Sequence, residues 1–84
     1  MKLTFPNLSR SFDEARQGVR FIAYDGMFEV PFLVDAAALR DQHAGAETCL
    51  AAFDAGRTAI QDAAVRIYRG RQTAIYVIGP ADLR

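Results

Sequence analysis

The chain has 84 residues, 51% of them hydrophobic, and ten basic side chains balance ten acidic ones. That length holds one small domain, 1–84, and the apolar content excludes a disordered polar chain. Zero net charge gives no overall pull toward nucleic acid or a membrane, and a single cysteine excludes an internal disulfide.

Size scaling expects about 63% of the unfolded surface to be buried on folding, which is a small core with little margin. Pro6 and its polar neighbours interrupt the first apolar residues before a signal peptide can build, and no run of 18 apolar residues occurs. The expectation is a cytoplasmic protein with no membrane segment. Nine arginines against one lysine, with recurring alanine, is the bias of a GC-rich bacterial genome.

Leu3-Thr4-Phe5 reads as a short strand that Pro6-Asn7 stops. Residues 9–12 read as another, leading into a turn at 13–16. The alternative is a helical turn capped by Ser11, with Glu14 completing a capping box. Gly18 follows too soon for a useful helix, which favours the turn. Residues 18–24 and 27–34 are rich in aromatic and β-branched side chains and flank Asp25-Gly26, the signature of a two-residue hairpin turn. That turn sets Ala23 opposite Phe28, Phe21 opposite Val30 and Val19 opposite Phe32, all on one face. The other face carries Arg20, Ile22, Tyr24, Met27, Glu29, Pro31 and Leu33. Pro31 has no N–H, so one side of its strand should be an edge or a bulge.

Asp35 is placed to cap a short helix over 36–42, which His43-Ala44-Gly45 breaks. A long helix is expected over 46–69. Cys49, Phe53, Gly56, Ile60, Ala63 and Ile67 recur at spacings of four and three, and Leu50, Ala64 and Tyr68 widen the stripe. Arg66 and Arg69 occupy its last turn and Gly70 the left-handed position beyond it. A final strand over 72–78 ends at Gly79-Pro80.

The predicted architecture is an α+β two-layer sandwich. An antiparallel sheet, made of an N-terminal three-stranded meander and the C-terminal strand, is covered on one face by the short and the long helix. Ile22, Tyr24, Met27 and Leu33 are then left partly exposed unless the N-terminal arm or a second subunit covers them.

The order Ser11-Phe12-Asp13, Val19-Arg20-Phe21, Glu29-Val30-x-Phe32, Ala38-Leu39 and Phe53-x-x-x-Arg57-x-x-Ile60 resembles a small bacterial family, domain of unknown function 1488. The resemblance covers about residues 5–78. It implies a small α+β fold with no assigned activity, so it carries over no site residues. Pro31 and Gly56 depart from the pattern, which bears on strand pairing at the one and helix straightness at the other.

Few residues offer chemistry. His43, with Asp41, Glu47 and Cys49 nearby, is the one start of a metal or small-ligand site. A catalytic zinc needs three protein ligands, and Gly45 keeps His43 and Glu47 off a common helix face, so an exposed loop histidine is the simpler reading. Cys49 sits in a first helical turn, where a thiol pKa falls, but it also lies on the apolar stripe, which makes it a buried core thiol. Asp13-Glu14 share one solvated turn, unlike paired catalytic carboxylates. No glycine-rich phosphate loop, CxxC or nucleophile elbow occurs. Arg66, Arg69 and Arg71, with Arg57 and Tyr76, could contact an anion. Arg57, Arg66 and Arg69 spread around the helix, however, and ordinary helix-end electrostatics explains the last two. The Arg57 stem is placed to pack on the sheet with its head on Asp54 or Glu29.

The expected function is therefore a non-catalytic, self-associating protein-interaction module. It would use Ile22, Tyr24, Met27 and Leu33 toward a second copy or an unidentified protein partner, with no cofactor and no metal. The alternatives are a nucleic-acid-binding domain using the basic end of the long helix, which neutral charge disfavours, and a small-ligand or metal binder near His43 and Cys49.

Overall fold

Residues 18–25 and 28–35, rich in aromatic and β-branched side chains, make two long strands, and everything else packs on them. In a computed structural model, which describes residues 3–6, 8–39, 45–70 and 74–83, the elements in chain order are β1 (Leu3–Thr4), β2 (Arg10–Asp13), β3 (Gly18–Asp25) and β4 (Phe28–Asp35). A 3-10 turn (Ala36–Leu39), α1 (Ala46–Ala55), α2 (Arg57–Ile67), β5 (Tyr76–Ile78) and a second 3-10 turn (Pro80–Leu83) follow. This is the expected α+β class, with two helices against one face of a five-stranded sheet.

β2, β3 and β4 form the antiparallel meander, and β1 joins the same edge of β3 as β2. The β2–β3 connection is the turn rather than a helix. Asp13 Oδ1 accepts from the Arg16 N–H at 3.0 Å, and Gln17 takes a positive φ of 53° to close it. The last strand departs from the antiparallel expectation: β5 runs parallel to β4, with Phe32 opposite Tyr76 and Val34 opposite Ile78. Parallel neighbours need a long crossover, and the helices between Asp35 and Tyr76 supply it. β5 begins opposite Phe32, so the Pro31 side without an N–H meets no strand there.

The hairpin register is shifted by two from the expected one. Phe21 lies opposite Phe32 and Val19 opposite Val34, and the loop is Gly26-Met27. Gly26 has φ 64°, while Met27 is not among the positive-φ residues, the pattern of a type II′ turn. Asp25 therefore stays in β3, where its carboxylate accepts a 2.5 Å hydrogen bond from the Tyr68 hydroxyl. A shift of two preserves every face. Val19, Phe21, Ala23, Val30 and Phe32 are all buried as expected, whereas Phe28, in the last pair before the hairpin loop, is 53% exposed.

The helical stripe is also as expected, with Cys49, Phe53, Ile60, Ala63, Ala64 and Tyr68 buried. The single helix is instead two, divided at Gly56 with φ −102° and ψ 17°. The ladder carries across the division, since Gly56 N–H donates to Ala52 and Ile60 N–H to Gly56. α2 ends at Ile67, before the expected boundary, because Tyr68 turns into extended backbone to reach Asp25. Gly70 keeps its positive φ of 90° two residues further on. The first short helix is a 3-10 turn capped through Asp35 Oδ1 to the Ala37 N–H at 3.2 Å. Its expected continuation over 40–42 lies outside the described residues, as do 72 and 73 of the expected last strand.

Between the layers, aromatic rings form a row across the strands. Phe21 stacks on Phe32 at 5.2 Å, Phe32 on Tyr76 at 5.3 Å, and Tyr76 meets the Tyr68 ring edge at 5.6 Å. Phe53 of α1 tilts onto Phe21 at 5.4 Å.

Candidate interaction surface

All residues that the two helices bury belong to one core on one face of the sheet. The period of two then dictates the opposite face: Ser11 and Asp13 from β2, Arg20, Ile22 and Tyr24 from β3, Glu29, Pro31 and Leu33 from β4, and Val77 from β5. Its apolar members run diagonally from Tyr24 through the Ile22/Pro31 pair to Leu33 and Val77. Ile22, Tyr24 and Pro31 are half-buried and Val77 is 51% exposed.

Two of the four expected interface residues stand elsewhere than expected. Leu33 is only 5% exposed. It lies over Gly18 of the neighbouring strand, its Cδ1 3.0 Å from where a Cβ of residue 18 would sit, so the missing side chain makes its niche. Met27 is 92% exposed but occupies the hairpin loop, beyond the end of the face, because the turn is Gly26-Met27. Val77 and Pro31 complete the diagonal. Val77 could not be found from local sequence, since the parallel pairing of β5 puts it there.

Charges flank the diagonal. Arg20 reaches Asp13 at 3.5 Å, and the Tyr24 hydroxyl donates to Glu29 at 3.3 Å. The Glu29 carboxylate raises the Tyr24 phenol above its ordinary pKa, with burial and that hydrogen bond adding to the effect, so Tyr24 remains a neutral donor at physiological pH.

The other candidate residues that the structure describes are engaged in the fold. Cys49 is 1% exposed, in the core beside Phe53. His43 and Arg71 lie outside the described residues, and among the described residues no three His, Cys, Asp or Glu gather to hold a metal. Arg66 donates to the Asp82 carbonyl, and Arg69 donates to the carbonyls of Arg66 at 2.7 Å and Tyr68 at 3.0 Å. Tyr76 is 9% exposed, donates to the Gly70 carbonyl at 2.6 Å and accepts from the Arg69 N–H at 2.9 Å, so its ring is not presented for stacking on a base.

Arg57 pairs its head with Asp54, one of the two carboxylates its position implied. Its guanidinium sits 4.9 Å from the Phe53 ring centre and donates to Asp54 at 2.8 Å and to the Leu8 carbonyl at 3.2 Å. Arg10 adds a bidentate grip on the same carboxylate, at 2.9 and 2.7 Å, tying β2 to α1. Hydrogen bonding from Arg10, the largest cause, holds the Asp54 carboxyl below its ordinary pKa, with Arg57 contributing. A depressed folded-state pKa stabilises the fold above the unfolded value of about 3.9, and that contribution is lost as pH falls through the folded value. Arg10→Ala should move the Asp54 carboxyl titration, followed by carbon-13 NMR, upward toward 3.9. An unmoved titration would contradict the assignment.

A family model described as a protein of unknown function, DUF1488, matches residues 3–78, in agreement with the resemblance in the sequence. Nothing matches among curated proteins or among solved structures. No helix among the described residues is long and apolar enough to cross a membrane.

Proposed function

The chain belongs to the DUF1488 family of proteins of unknown function, and we propose that it is a cytoplasmic, non-catalytic interaction module that self-associates through the open face of its sheet. One observation carries this reading: the apolar strip of Tyr24, Ile22, Pro31 and Val77, with Leu33 buried beneath it, on the face opposite the one where both helices bury their residues. A contiguous apolar strip with a polar rim is the ordinary form of a protein-binding surface. The structural engagement of Arg66, Arg69, Tyr76 and Cys49 supports it further, because these four candidate residues already serve the fold.

Light scattering behind a sizing column, across a dilution series into the high micromolar range, tests the proposal. Mass rising above 9.3 kDa with concentration is expected. Val77→Lys, at a position already 51% exposed, should abolish the rise without unfolding the monomer. A constant monomer mass would sink the proposal.

A further inference from the structure

Resting on that reading, we propose that the open face docks a second copy of this chain in a two-fold arrangement held by two reciprocal Arg20–Glu29 ion pairs. The register places Arg20 beside Leu33 and Glu29 beside Tyr24, with the Ile22/Pro31 pair between. Arg20 and Glu29 thus lie on neighbouring strands, equally far from that central pair and on opposite flanks of the apolar diagonal, with Asp13 of β2 beside Arg20 on the same face. An isologous interface requires a patch complementary to itself. A two-fold axis lying in the face between Arg20 and Glu29 sets Arg20 of each copy over Glu29 of the other and makes the two diagonals cross at the Ile22/Pro31 pair.

Both side chains are placed to take part. Arg20 is 48% exposed and its contact with Asp13, at 3.5 Å, is long for a charge-assisted bond. Glu29 is exposed, and its 3.3 Å bond from Tyr24 leaves further acceptor sites on the carboxylate. Beside Arg20 a hollow of about 360 Å³, lined by Ser9, Arg10, Ser11, Arg20, Phe21 and Ile22, gives room for a side chain of the opposing copy. Four strands about 4.8 Å apart and about five residues long make a flat patch on the order of 300 Å². Stable complexes bury about 800 Å² per partner, so the dimer is a weak one, with its midpoint at high micromolar concentration.

Complementary charge variants test the pairing. In R20E both contacts become acid against acid, and in E29R base against base, so each variant alone should associate at least tenfold more weakly than wild type. In an equimolar mixture both contacts regain opposite charges, and dimer mass should return. Far-UV circular dichroism checks that each variant folds. Should one not fold, Arg20→Gln and Glu29→Gln must each weaken association several-fold. A wild type that dimerises while the charge variants match it, or while their mixture stays monomeric, overturns the Arg20–Glu29 pairing and leaves the open-face reading standing. A wild type that remains monomeric to about 1 mM overturns both.

Discussion

Phe32→Ala is expected to cost about 3–5 kcal/mol, the range for truncating a buried phenylalanine. Phe32 has no exposed surface and sits between the Phe21 and Tyr76 rings, at 5.2 and 5.3 Å. It is the ring through which β3, β4 and β5 share one core. A chain of 84 residues has about 4–13 kcal/mol of stability in all. Losing 3–5 leaves a small margin or none. Urea unfolding followed by circular dichroism should show the transition displaced to low denaturant with an unchanged slope. Val65→Ala on the outer side of α2, where Val65 is 54% exposed, should change stability by less than about 0.5 kcal/mol. A Phe32→Ala midpoint close to that of Val65→Ala would refute the central place given to the aromatic row.

Gly18→Ala is expected to destabilise by about 1–3 kcal/mol, the cost of forcing an extra carbon into a filled space. A Cβ at residue 18 would lie 2.5 Å from the Val34 carbonyl oxygen and 3.0 Å from Leu33 Cδ1. The first of these is backbone, so β3 and β4 must part to admit it. Gly56→Ala is the contrasting case. Its Cβ would meet Ala52 O at 3.5 Å and Ile60 Cδ1 at 3.9 Å, both ordinary contacts. That replacement should stabilise by about 0.4–1 kcal/mol through the unfolded chain. Two glycine-to-alanine changes of opposite sign, measured by the same denaturant titration, separate close approach from chain entropy. A neutral Gly18→Ala would mean that the Leu33 niche is not maintained by the missing side chain.

Which parts of the candidate site could be read from sequence follows from the range of each interaction. Ile22 and Tyr24 were legible because alternation within one strand assigns them to a face whatever the register. Leu33 was not, because its burial depends on Gly18 across the ladder. The Arg57–Asp54 pair was legible as neighbours on one helical turn, whereas the stronger grip of Arg10 comes from 44 residues away. The turn position depends on distant residues in the same way. Asp25-Gly26 is a good loop locally, but Asp25 is held in the strand by pairing with Leu3 and Phe28 and by the Tyr68 hydroxyl, 43 residues further on.

By itself the sequence determined the alternating faces of β3 and β4, the apolar stripe of the helices and the excess of apolar surface over what one helical layer can cover. These are properties of period and composition, carried by neighbours within a few residues. The tertiary structure alone decided that β5 runs parallel to β4, that Val77 joins the open face and Leu33 sinks beneath it, and that Arg20 and Glu29 flank the same strip. Those outcomes depend on pairings between distant segments, where backbone hydrogen bonding is common to every residue and only packing selects the partner.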